Sequence, residues 1–252
     1  MMYGFCSLPA VPMRAEATDR AEMVSQLLFG DTFVVEYQGE KWSFIVADYD
    51  GYRGWVDNKQ IYLLGEDDYS KVKDYWDIVS DSLLATVRVD GTDVFLPMGS
   101  RLPNVGVSLL KGPDIEHDVP KCKARGVKSL LEIASKWLGV PYLWGGKTCM
   151  GVDCSGFTQT VFKVCDIKLL RDASQQATQG RAVDDFADIL PGDLCFFHNA
   201  DGRIIHVGIF AGCGCIIHAS GCVRIDTLDT HGIYNTSLQC YTHTLSSIRR
   251  MR

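Results

Sequence analysis

The sequence predicts an α+β protein, on three observations. Its amino-terminal half is a series of short runs rich in Val, Phe, Tyr and Trp, broken by turn residues. From Gly126 apolar residues recur at helical spacing. After Pro191-Gly192-Asp193 the chain returns to alternating or continuous apolar runs. Helices first and an antiparallel sheet afterwards is the α+β order.

In chain order, 31–37, 42–48 and 54–56 read as strands, separated by Gln38-Gly39-Glu40 and Asp48-Tyr49-Asp50-Gly51. Strands this short and this closely spaced predict a small closed barrel over 1–66. The acidic run Glu66-Asp67-Asp68 reads as a linker. A second β segment over 67–122 holds candidate strands at 83–89, 94–97 and 106–110, with an Asp90-Gly91 turn, and predicts a second small barrel. The third domain is 123–252. Leu130, Leu131, Ile133, Ala134, Trp137 and Leu138 mark its first helix, which Gly139 ends. A glycine-rich loop leads to a second helix over about 155–165, and Ser174 is placed to cap a short third. Strands are then expected at 194–198, 204–211, 215–219, 223–226 and 241–248.

A length of 252 residues suits one large domain or two to three small ones. The net charge of −6 is spread without blocks, which argues against nucleic acid and against an anionic membrane surface as partners. A hydrophobic share of 46% excludes general disorder, and no apolar run approaches the ~18 residues of a spanning helix. The first residues show no basic leader. With ten cysteines and no C-x-x-C pair, that reads as a reduced, cytoplasmic protein, or a periplasmic or envelope one if a leader has been removed.

The chemistry concentrates on Asp153-Cys154-Ser155-Gly156, where a loop enters a helix. A cysteine at a helix amino terminus has its thiolate stabilised by the dipole and free N–H groups, which lowers its pKa. Such a nucleophile needs an imidazole. His206 and His218 each sit in an apolar strand, and a hairpin centred on Gly212 would pair them directly on one face. That geometry requires an odd loop such as Ala211-Gly212-Cys213, since a two-residue loop would put them on opposite faces. Singly, each of these residues also fits an ordinary structural place, whereas together they follow triad logic. Cys213, Cys215, His218 and Cys222 are a rival zinc-ligand set of unusual spacing, competing with plain hairpin cysteines. The reading taken is no metal and no organic cofactor.

The segments Pro141-Tyr142-Leu143-Trp144-Gly145-Gly146 and Asp153-Cys154-Ser155-Gly156-Phe157 resemble the NlpC family of bacterial cell-wall cysteine peptidases. Leu170 to Gln176, Leu190 to Leu194, His206 to Ile209 and Ile217 to Ala219 continue the resemblance in order, over about 126–250. The segments Val11 to Arg14, Ala21 to Gln26 and Gly51 to Val56 resemble the bacterial SH3-like barrels that precede this domain in γ-D-glutamyl-L-diamino-acid endopeptidases. The resemblance implies a papain-like catalytic domain behind two SH3-like barrels. It implies Cys154 as nucleophile, His206 as general base and then acid, and His218 as the residue orienting His206. Tyr142 would help stabilise the oxyanion. Asp153, with Glu22 and Tyr52, would hold a free substrate amine, while Ser155 and Ser174 either touch substrate or serve as helix-start residues. The implied reaction is cleavage of the γ-D-Glu–diamino acid bond in murein peptides of the form L-Ala-γ-D-Glu-diamino acid. Two other classes stay open: a non-catalytic wall-binding adaptor, and an amidase or acyltransferase using the same Cys–His apparatus.

Overall fold

The computed structural model describes residues 2–104, 109, 112–121 and 126–251. Its contacts form two units: Met1–Lys123 with Trp144–Cys149, and Ala124–Leu143 with Met150–Arg252.

The first unit opens with β1 (Met2–Phe5), β2 (Ala10–Arg14), β3 (Met23–Leu28), β4 (Thr32–Gln38), β5 (Trp42–Ala47), β6 (Arg53–Asp57) and β7 (Tyr62–Leu64). They make one antiparallel sheet in the order β3-β2-β6-β5-β4-β1-β7. The three runs read from the sequence became β4, β5 and β6. Val11, Met13, Leu27, Phe33, Ile45 and Val56 point inward at alternating positions and build the core. Each such side chain, fully buried, contributes about 1.5–3 kcal/mol.

Glu66-Asp67-Asp68 is not a linker. It is the first turn of α1 (Glu66–Tyr75), where three carboxylates face the positive end of the helix dipole. The Tyr69 ring stacks on Tyr3 with centroids 4.3 Å apart, and its hydroxyl donates to Asp48 Oδ2 at 2.7 Å. Beyond it lie β8 (Ile78–Val79), β9 (Leu84–Val89), β10 (Thr92–Pro97), β11 (Arg101–Leu102) and β12 (Ile115–Glu116). They pair as β10-β9-β12 and β11-β8. Asp90 and Gly91 both have positive φ, 49° and 75°, as a two-residue hairpin turn requires. Trp76, Val87 and Leu96 share one core with Phe5, Phe29 and Leu64, so the second segment completes the apolar face of the first. The strand expected at 106–110 falls largely outside the described residues. Lys147–Thr148 forms β13.

The second unit holds α2 (Gly126–Ser135), β14 (Gly151–Val152), α3 (Cys154–Val164) and α4 (Ala173–Gln176). The strands β15 (Arg181–Ala182), β16 (Leu194–His198), β17 (Ile204–Gly212), β18 (Cys215–Ser220), β19 (Cys222–Leu228), β20 (Gly232–Asn235) and β21 (Cys240–Arg250) follow. The sheet runs β15-β21-β16-β17-β18-β19-β20, and β20 pairs with β21 as well. All five expected strands are present. α4 starts one residue before Ser174: Asp172 precedes it, and Gln175 Oε1 accepts from the Asp172 backbone N–H at 3.0 Å. Every residue of α3 is buried, which makes it the helix around which the unit packs.

Candidate active site

Asp153 sets the start of α3. Its Oδ1 accepts from the Gly156 N–H at 2.6 Å, satisfying one of the free donors of the first turn. Arg171, itself 1% exposed, then grips both carboxylate oxygens, with Nη1 to Oδ1 at 3.0 Å and Nη2 to Oδ2 at 2.6 Å. The same Nη1 donates to Ser155 Oγ at 2.9 Å. Asp153 and Ser155 are thus both buried and engaged within the second unit, whereas Ser174 is exposed on α4.

This frame fixes Cys154 as the first residue of α3. The Cys154 thiol is pushed up to about 12, first by burial and then by the Asp153 carboxylate. Hydrogen bonds from the Val207 and Ser155 backbones and the Arg171 charge oppose that shift. The helix-start argument for a lowered pKa is therefore outweighed by desolvation, and the resting group is a neutral thiol. The Val207 bond also sets the sulfur against β17, the strand that carries His206.

His206 and His218 do share a face, by a different register than the sequence implied. Gly208, not His206, stands opposite His218. The turn is the two-residue Cys213-Gly214, with positive φ of 52° and 68° at the two positions. A register shift between Phe210 and Gly212 adds one residue and restores the parity that such a turn would have broken. His206 is consequently the diagonal neighbour of His218. Gly208 leaves room between them, since a Cβ there would come within 2.9 Å of His218 Cβ.

The two rings are joined by His206 Nε2 and His218 Nδ1 at 2.8 Å, and His218 Nε2 reaches Asp226 Oδ2 at 3.1 Å. Burial alone would raise the Asp226 carboxyl, but the hydrogen bonds and charges of His218 and Arg224 outweigh it, holding the group below its usual range. Asn235 Nδ2 donates to the same oxygen at 3.3 Å. An ionised carboxylate only accepts, which makes His218 Nε2 the donor, and with both rings neutral the remaining proton positions follow. His218 donates through Nε2 to Asp226 and accepts at Nδ1. His206 donates through Nε2 and keeps a lone pair on Nδ1. That nitrogen can take the proton of a neighbouring thiol.

The His206 imidazole is held well below its ordinary pKa, by burial first and then by His243 and His218. Neutral imidazole is the competent form, so a lowered pKa moves the acid loss of activity downward. We expect kcat/KM to stay level from neutral pH to about 6 and to fall only below that. A midpoint at or above about 6.5 in the pH–rate profile would contradict this.

Tyr142 is half-buried. Burial, with Cys154 and Asp153 nearby, raises its pKa and keeps the phenol protonated as a hydrogen-bond donor. Glu22 and Tyr52 belong to the first unit. Trp144 Nε1–H donates to Glu22 Oε1 at 2.5 Å, and the Lys147 N–H donates to Gln26 Oε1 at 2.7 Å, which seats the glycine-rich loop in that unit. Tyr52 is half-buried and lines a small cleft there with Gln26, Asp50 and Lys147.

Three participants were not read from the sequence. Asp226 was lost because β19 reverses the usual rule, with Ile225 49% exposed and Asp226 buried. Arg171 gave no signal beyond its place in a motif. His243, on β21, stacks on His206 with ring centroids 4.2 Å apart and 25° between planes. Among the described residues, it is His206, His218 and His243 that come close enough to hold an ion. The rival zinc set is not gathered, since Cys213 is exposed while His218 faces Asp226.

Residues 139–242 match the NlpC/P60 family, and residues 13–61 match a family described as the bacterial dipeptidyl-peptidase Sh3 domain. The chain is 29% identical over 217 residues to a gamma-D-glutamyl-L-lysine dipeptidyl-peptidase of Bacillus subtilis, covering 77% of this chain and 71% of that one. It is 40% identical over 112 residues to a probable endopeptidase NlpC of Escherichia coli, covering 41% of this chain and 72% of that one. A Bacillus cereus NlpC/P60 family protein of known structure is similar at a TM-score of 0.79 and 20% identity, over 99% of both chains. At that identity the likeness speaks for the fold.

Proposed function

Because the chain belongs to the NlpC/P60 family, an established family of peptidases, we propose that it works as a cysteine endopeptidase on the γ-D-Glu–diamino acid bond of murein stem peptides bearing a free L-Ala amine. The observation that carries the reading is the buried relay Asp226–His218–His206, which engages His206 through Nε2 and leaves Nδ1 to serve as base, on the strand whose Val207 N–H meets the Cys154 sulfur.

In the proposed reaction the Cys154 S–H proton moves to His206 Nδ1 as the sulfur attacks the γ-carbonyl carbon of D-Glu. His218 and Asp226 stabilise the imidazolium that forms. The Tyr142 hydroxyl donates to the oxyanion. Collapse breaks the C–N bond, and the imidazolium gives its proton to the departing diamino-acid amine. Water, deprotonated by the same nitrogen, then hydrolyses the thioester and returns the thiol.

Amine recognition is assigned to Glu22 and Tyr52. The bond from Trp144 holds the Glu22 carboxylate in one orientation to receive an ammonium. Asp153, already matched by Arg171, is assigned to substrate by the family resemblance and would offer acceptor lone pairs rather than net charge. Ser155 is bound into that pair, and exposed Ser174 is the freer of the two to meet substrate. A free-amine requirement suits recycling of released peptides, which is the cytoplasmic setting we propose.

Mass spectrometry of products from L-Ala-γ-D-Glu-diaminopimelate and L-Ala-γ-D-Glu-Lys tests the bond: the expected products are L-Ala-D-Glu and the free diamino acid. Acetylating the L-Ala amine removes its charge and leaves the receiving carboxylate without a cation. Turnover should drop at least about a hundredfold. Glu22→Gln should slow the free-amine substrate and barely change the acetylated one. Equal rates on free and acetylated peptides would sink the amine-gated reading.

A further inference from the structure

We propose that His206, His218 and His243 form an inhibitory binding site for a borderline-soft divalent cation of the zinc type, loaded by a tautomer switch of His206. The inference rests on the assignment of His206 and His218 to the proton relay. It assigns His243 a role that the peptidase chemistry leaves open.

One ring nitrogen from each histidine lies within 4.8 Å of the others. The three side chains come from three strands of one sheet, β17, β18 and β21. His206 Nε2 and His218 Nδ1 are 2.8 Å apart, and His243 lies flat against His206. The Nδ1 atom of His243 is 2.9 Å from Thr242 Oγ1, and with Nδ1–H donating to that hydroxyl oxygen Nε2 keeps the lone pair that coordinates. Imidazole nitrogens bind zinc at about 2.0–2.1 Å, so in a tetrahedral set they sit about 3.3–3.4 Å apart. Small ring rotations reach that spacing from this one.

The protons balance without release to solvent. His218 already presents a lone pair at Nδ1. His206 carries its proton on Nε2, facing His218. Moving that proton to Nδ1 frees Nε2 for the ion, and the ring stays neutral. His218 keeps its Nε2–H on Asp226, giving the carboxylate–histidine–metal arrangement that orients ligands in many zinc sites. His243 supplies the third nitrogen, and a water or the substrate itself can take the fourth position. Once Nδ1 is protonated, His206 has no lone pair to accept the Cys154 proton. Inhibition follows with the thiol untouched, and a chelator reverses it.

The test uses the full chain stripped with EDTA, titrated with Zn2+ for activity and calorimetry and with Co2+ for optical spectra. One equivalent should bind and abolish turnover, and the Co2+ spectrum should lack the near-ultraviolet thiolate band. His243→Phe keeps an aromatic ring in the stack but offers no ligand. Its affinity for Zn2+ should fall at least about tenfold, and so should inhibition scored against its own EDTA-treated rate. Long-range proton–nitrogen spectra of the wild-type histidines need no variant, and should show His206 passing from Nε2–H to Nδ1–H as Zn2+ is added. Unchanged affinity in His243→Phe, a thiolate band, or an unchanged His206 tautomer would each overturn the proposal. Repeating the Co2+ titration in Cys154→Ala separates the two readings. A site that forms there while the wild type cuts no stem peptide refutes the peptidase assignment and leaves the metal site standing.

Discussion

Replacing Cys154 with alanine should lower turnover of the stem peptide by at least about ten-thousandfold, and His206→Ala should come close to the same loss. The double variant should be no worse than either single one. Without the sulfur there is nothing for the imidazole to deprotonate. Without the imidazole, a thiol pushed up to about 12 stays protonated at neutral pH, so the sulfur does not attack. The two residues act as one device, and their losses do not add. Rates from single turnover, with circular dichroism to check folding, measure this directly. Retained hydrolysis in Cys154→Ala, or additive losses in the double variant, would end the cysteine mechanism. The same burial predicts the order of alkylation. Cys213 and Cys240 are exposed and should react with iodoacetamide first, whereas Cys154, 6% exposed and protonated, should react late. A reactive-thiol expectation built on the helix start alone gives the opposite order.

That reversal shows what a linear reading captures and what it loses. Apolar alternation in 31–56 and 194–248 located strands because burial on one face leaves a period of two in the sequence. The Cys154 helix was legible from the loop-to-helix change and from Asp153, whose cap chemistry is local. The pairing of His206 with His218 was legible only as a shared face. Its register depended on one added residue between Phe210 and Gly212, a backbone event with no signature in residue type. α1 was hidden for a different reason. Three consecutive acids look like a solvated connector until the helix dipole behind them is known. Asp226, Arg171 and His243 are long-range partners, at 8, 18 and 37 positions from His218, Asp153 and His206 respectively, and no short-range pattern reports such contacts. For Asp226 and Arg171 the missing part is thus the site's charge compensation, which forms only when distant strands and loops meet.

Charge compensation also gives the largest effect on stability. Arg171→Met keeps most of the side chain's volume but strips the guanidinium from both oxygens of Asp153. Asp153 is 6% exposed, and a carboxylate left there without its cation costs about 3–5 kcal/mol. For a unit of this size that is a drop of roughly 10–20 °C in Tm. Adding Asp153→Asn should recover much of the loss. It removes the uncompensated charge, and an Asn oxygen still accepts from the Gly156 N–H as a helix cap. Thermal melts of the wild type, Arg171→Met, Asp153→Asn and the double variant close the cycle. A coupling of at least about 2 kcal/mol between the two positions is expected, as for contacting residues in one network. Activity then separates two roles. If Asp153 and Arg171 only hold the fold, the double variant regains turnover along with its Tm. If the pair also sets the position of Cys154, kcat stays low in the refolded double variant while the melt recovers. The structure favours the second outcome, because the arginine binds Asp153 and Ser155, the residues on either side of the sulfur. An Arg171→Met protein that melts within about 2 °C of the wild type would show that the buried pair contributes nothing to the fold, and that α3 is held by its apolar face alone.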